Sequence, residues 1–77
     1  NNAPNHILFC QGLDQTITAE ILTEVFMRFP GLRDVRLAPK NFAFIEYEDE
    51  FKAGNALSAL HDTQVGNITL KLSYAKK

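Results

Sequence analysis

Few side chains in this sequence are placed to do chemistry. Cys10 is the only cysteine, so one chain can build neither a disulfide nor a cysteine-based zinc site. In HILFCQGL it has the parity of a core residue, where a thiol packs rather than attacks. His6 and His61 have no catalytic partner at a useful spacing and read as surface histidines. The acids Glu46, Glu48, Asp49 and Glu50 lack the alternating ligand spacing of a calcium loop. They suit the positive N-terminal end of a helix better. What remains are aromatic rings: Phe42 and Phe44 alternate in KNFAFIEY, and Phe9 lies in HILFCQGL. Rings held in water on a sheet can stack on flat partners, and cations among them can hold anions.

Such rings need strands to present them. In KNFAFIEY, one parity carries Ala43, Ile45 and Tyr47, and the other carries Phe42, Phe44 and Glu46. Both faces therefore hold large apolar groups, whereas a strand with one wet face should alternate. HILFCQGL reads as a strand of about six residues, bounded by Gly12 and Asp14. From Thr18 the period changes: Ile21, Leu22, Val25, Phe26 and Phe29 share a helical face. Thr18 is its N-cap, Glu20 lies in its first turn, and Pro30-Gly31 stops it. LRDVRLA is a second strand, Pro39 turns the chain, and KNFAFIEY is the third. EDEFKAGNALSALHD is a second helix with an Ala53, Ala56, Leu57, Leu60 stripe, and NITLKLSYAKK is one final strand.

The order is βαββαβ, an α+β, ferredoxin-like arrangement: a four-stranded antiparallel sheet with two helices on one face. The helices can cover only one side of the sheet. Leu8, Cys10, Val35, Leu37, Ala43, Ile45, Tyr47, Leu70, Leu72 and Tyr74 then point inward. The expected core combines Leu8, Val35, Ile45, Leu70 and Leu72 with Ile21, Val25, Phe26, Leu57 and Leu60. Pleating sends Ile7, Phe9, Gln11, Arg36, Lys40, Phe42, Phe44, Glu46, Thr69, Lys71 and Ser73 to the open face. In this topology the first and third strands are neighbours, so Phe9, Phe42 and Phe44 should form one cluster.

Eight Lys and Arg against nine Asp and Glu give a formal charge of −1, which argues against strong non-specific polyanion binding. On the open face, however, Arg36, Lys40 and Lys71 meet only Asp34 and Glu46, with Lys76 and Lys77 just beyond the last strand. A mildly basic aromatic sheet can stack unpaired bases. Exposed aromatics also serve protein interfaces, and both readings stay open on these grounds. Catalysis on this topology, as in an acylphosphatase, would need a phosphate cradle with a cation, and GLDQTIT supplies neither. No apolar run reaches membrane-span length, and NNAPNH has no targeting pattern. Residues 1–5 read as a linker or extended lead-in and 6–77 as one domain.

Lys40-Asn41-Phe42-Ala43-Phe44-Ile45-Glu46-Tyr47 resembles the octamer motif of the RNA recognition motif family, with Asn41 where the family has Gly. Leu8-Phe9-Cys10-Gln11-Gly12-Leu13 resembles its hexamer motif. The resemblance implies that Phe9, Phe42 and Phe44 stack bases and that Lys40 contacts phosphate. Gln11, Arg36, Lys71, Ser73 and Lys76 join them as candidate RNA contacts. APNHILF, RFPGLRDVRL, FAFIEYEDEFKAG and SYAKK are similar to the second, C-terminal motif of spliceosomal snRNP A and B-double-prime proteins. That narrower likeness implies a nuclear splicing protein whose longer chain carries another such motif. Its partners would be single-stranded RNA (snRNA or pre-mRNA) and other splicing proteins, with no membrane, metal or cofactor. A protein-interaction module on the same fold is the alternative.

Overall fold

The computed structural model describes residues 3–76. Its elements are β1 (Ile7–Gln11), α1 (Ala19–Phe26), β2 (Leu32–Ala38), β3 (Phe42–Tyr47), α2 (Glu50–Leu60), β4 (Gln64–Val65), β5 (Ile68–Thr69) and β6 (Lys71–Tyr74). Four strands form an antiparallel sheet in the order β2-β3-β1-β6, with β1 and β3 central as expected. Both helices pack on one face.

Local chemistry explains the helix starts. The Thr18 hydroxyl accepts from the Ile21 N–H at 3.2 Å, and the Asp49 carboxylate accepts from the Lys52 N–H at 2.9 Å. These caps satisfy donors that a helix N-terminus cannot pair internally. Glu48 adds an ion pair to Lys52 one turn on, at 2.7 Å. Under the helices lie Leu8, Cys10, Ala43, Ile45, Tyr47, Leu70 and Leu72, all buried, together with Leu22, Phe26, Ala53, Ala56 and Leu60. The expected parity holds at these positions. Burial pushes the Cys10 thiol up to about 12, so it stays protonated at neutral pH and packs as a small apolar group. Tyr47 is also buried, and its hydroxyl donates to the Phe26 carbonyl at 2.7 Å, tying β3 to the end of α1.

Some boundaries and burials differ from the expectation. Helix α1 stops at Phe26 rather than reaching Phe29, because Pro30 disfavours helical backbone at the residue before it. Phe29 instead donates back to the Phe26 carbonyl at 3.2 Å in a tight turn, with its ring still against the core. The last strand is not continuous. Leu70 bonds the loop after α2, its N–H donating to Thr63 and its carbonyl accepting from Asp62, and this separates β5 from β6. β5 turns back on β4 as a two-stranded hairpin. Leu37, expected inward, is 42% exposed, because β2 is an edge strand flanked by β3 alone. Ile21, Val25, Val35 and Leu57 are only partly buried, packing around the core rather than inside it. Two core residues, Leu13 and Ile17, come from the β1–α1 loop, where no periodicity marks them.

Gly12 leaves β1 with φ +84, and a Cβ there would lie 2.7 Å from the Thr69 carbonyl oxygen. Gly12→Ala is expected to destabilise the fold by roughly 1–2 kcal/mol from the left-handed backbone alone, before Thr69 shifts. Urea unfolding checks this, and an unchanged midpoint would contradict it.

Candidate nucleic-acid interface

The register of the central strands builds the aromatic cluster. Phe9 pairs with Phe44 across β1 and β3, and Phe42 lies on the same face of β3. The ring centroids are 5.3 Å apart for Phe9–Phe42, 5.4 Å for Phe9–Phe44 and 5.6 Å for Phe42–Phe44. The contacts are tilted or edge-on, as aromatic quadrupoles prefer. Phe44 is 38% exposed, whereas Phe9 and Phe42 are half-buried.

Hydrogen-bonding groups surround the rings. Across the strands, Phe44 faces Arg36, Phe9 faces Ser73, and Gln11 faces Lys71. Phe9, Gln11, Phe44, Ser73, Ala75 and Lys76 line a cleft of about 510 Å³. On the other side of Phe44, a smaller cleft of about 170 Å³ is bordered by Asp34, Arg36, Glu46 and again Lys76. Phe44 is thus a ridge between two hollows. A larger hollow of about 620 Å³ lies beside Asn5 and the acids Glu48, Asp49 and Glu50; it shares Ile7 and Lys76 with the smaller cleft, but none of the three rings lines it.

The cations are less uniform than their sequence positions suggest. Arg36 donates from Nε to Asp34 at 2.8 Å, and the carboxylate raises its already high pKa. Lys71 reaches out of the sheet to Asp62 at 2.5 Å, and its hydrogen bond holds the Asp62 carboxyl below its usual range. Lys40 is exposed in the turn between β2 and β3 rather than on the strand. Lys76, also exposed, stands at both clefts. Neither Lys40 nor Lys76 has an ion pair among the described residues. Lys77 lies outside the described residues. Asn41, at the family's glycine position, has φ +63, which asparagine tolerates better than most side chains.

Sequence reasoning missed several positioning contacts. Asn5, in the expected lead-in, is buried and donates to the Ala75 carbonyl at 3.1 Å. The Ala75 N–H in turn donates to Ile7 at 2.9 Å. These bonds hold the chain after β6 beside β1, which brings Lys76 to the rings. His61 accepts the Leu72 N–H on Nδ1 at 3.0 Å, joining the end of α2 to β6. Asparagine before a strand was the only sequence signal for the first contact, and there was none for the second.

Comparison with known proteins agrees with this geometry. A family model described as RNA recognition motif matches residues 8–71. The U2 small nuclear ribonucleoprotein B'' of Oryza sativa subsp. indica is 39% identical over 77 residues, covering 96% of this chain and 33% of that protein. The U1 small nuclear ribonucleoprotein usp102 of Schizosaccharomyces pombe is 30% identical over 76 residues, covering 96% of this chain and 30% of that protein. The chain therefore spans about a third of the length of these curated relatives. Among solved structures, the MEC-8 C-terminal RRM domain bound to AGCACA has a TM-score of 0.83 at 32% identity. That likeness covers 97% of this chain and 95% of that one. Strand order, aromatic face and family match converge: this chain belongs to the RNA recognition motif family.

Proposed function

We propose that this domain binds single-stranded RNA, as a module of a spliceosomal snRNP-type protein acting in nuclear pre-mRNA splicing. The observation that carries the reading is the cluster of Phe9, Phe42 and Phe44 on the uncovered sheet face, flanked by two clefts lined with polar groups. Exposed rings can stack on bases only when those bases are unpaired, so single strands are the matching substrate. The snRNP relatives and the solved RRM domain bound to AGCACA support RNA as ligand and splicing as setting. In this reading Phe9, Phe42 and Phe44 stack, Gln11 and Ser73 hydrogen-bond bases, and Lys40, Arg36, Lys71 and Lys76 hold the backbone. The RNA is snRNA or pre-mRNA, and residues 6–77 act as one monomeric domain in a longer chain with a second such motif.

Binding by the isolated domain is weak in this reading. Arg36 and Lys71 are already engaged by carboxylates, and the turn between β2 and β3 is too short to protrude as a basic loop. Stacking then supplies most of the affinity. With two to four phosphate contacts, the log–log salt slope is expected to be about −1.5 to −3, at about −0.7 per contact for single strands. Titrating a single-stranded oligonucleotide at several salt concentrations, beside a duplex control and followed by amide shifts, tests both statements. Tight binding with a steep slope would overturn the weak-binding reading, and a preference for duplex would overturn the single-strand reading. Tethering to a second RNA-binding domain would raise the effective concentration and make weak binding useful.

One observation favours a second reading, a protein-interaction module of a splicing complex. Phe51 on α2 is 77% exposed and Met27 after α1 is 62% exposed, both outside the sheet. No binding at millimolar RNA, with splicing-protein contacts that shift only helical amides, would select it.

A further inference from the structure

The smaller cleft beside Phe44 has a hydrogen-bonding pattern of its own. Asp34 and Glu46 face each other across β2 and β3, and both border this cleft. The Asp34 carboxylate is committed: one oxygen accepts the Val35 N–H at 3.0 Å and the other accepts Arg36 Nε at 2.8 Å. Glu46 is different. Its one ion-pair neighbour among the described residues is His6, whose Nε2 lies 3.7 Å away, beyond hydrogen-bonding distance. Glu46 is half-buried on the same face of β3 as Phe44, so its carboxylate can accept from a group entering the cleft.

A carboxylate only accepts, through two oxygens a fixed distance apart. The partner that fits it best offers two adjacent donors. On its Watson–Crick edge, guanine presents N1–H beside the N2 amino group. Adenine and cytosine present an amino group beside a ring-nitrogen acceptor, which the carboxylate would repel. Uracil presents one N–H between two carbonyls.

We propose that the cleft between Phe44 and Glu46 selects guanine, with the base against the Phe44 ring and the Glu46 carboxylate accepting from N1–H and the N2 amino group together. Arg36 and Lys76 border the same cleft, with Arg36 held in place by Asp34 and Lys76 without an ion pair, and they serve the phosphate of that nucleotide. The inference rests on the single-stranded RNA reading and adds a base identity to it.

The test uses the 77-residue chain and uridine heptamers whose central base is guanosine, inosine, adenosine, cytidine or uridine, with dissociation constants from amide-shift titrations. The guanosine heptamer is expected to bind on the order of tenfold more tightly than those with adenosine, cytidine or uridine, as for a good bidentate pair. Inosine keeps N1–H and the ring carbonyl but lacks the N2 amino group, so its heptamer should lose most of that advantage. Glu46→Gln should bring the guanosine heptamer down to the level of the others, in a variant whose amide spectrum remains that of the folded domain. Equal binding of all heptamers would overturn the guanine proposal and leave the RNA reading standing. A guanosine preference that survives both inosine and Glu46→Gln would overturn it as well. No binding of any heptamer would remove the RNA reading and the proposal together.

Discussion

Ile45→Ala is expected to lower the unfolding free energy by about 2–5 kcal/mol, the range for large-to-small changes in a packed core. Ile45 is fully buried on β3, paired with Leu8 on one side and Val35 on the other, beneath the two helices. Truncation removes apolar surface from the centre of the core. The neighbouring positions are held by strand register and cannot collapse to fill the space. Denaturant unfolding followed by circular dichroism measures the loss. A change under about 1 kcal/mol would mean that the site relaxes far more than close-packed interiors do.

Phe44→Ala, one residue away, should behave in the opposite manner. Its ring faces the open side and touches Phe9 and Phe42, so truncation should cost about 1 kcal/mol of ring–ring contact. RNA affinity should fall much more, by about 1–3 kcal/mol if the ring stacks one base. Comparing the two variants separates packing from binding on adjacent residues. Equal unfolding effects at both positions, with no RNA binding by the unmodified domain, would sink the assignment of faces.

The fold was largely legible in the sequence, and so was the aromatic face, for a local reason. Pleating alternates side chains across a strand, so parity alone placed Leu8, Cys10, Ala43, Ile45 and Tyr47 inside and Phe9, Phe42 and Phe44 outside. The Thr18 cap of α1 was readable too, since it acts on a donor only three residues away. Parity failed where coverage ended, at Leu37 on an edge strand; at Leu70 parity held, but the single final strand is split where the loop after α2 captures its backbone.

Four features follow from what the sequence determines by itself: the order of elements, the parity of each strand, the two motifs and the sign of the net charge. The first three depend on residues within a few positions of one another, and the charge depends on composition alone. Tertiary structure decided which polar groups remain available. Lys71 is occupied because the loop after α2 brings Asp62 beside it, while Lys76 reaches the rings because Asn5 and Ala75 bind across the ends of the chain. Glu46 is left open because Arg36 satisfies Asp34 instead. Coulomb and hydrogen-bond energies depend on distances across space, and those distances are set only when the strands and loops have packed.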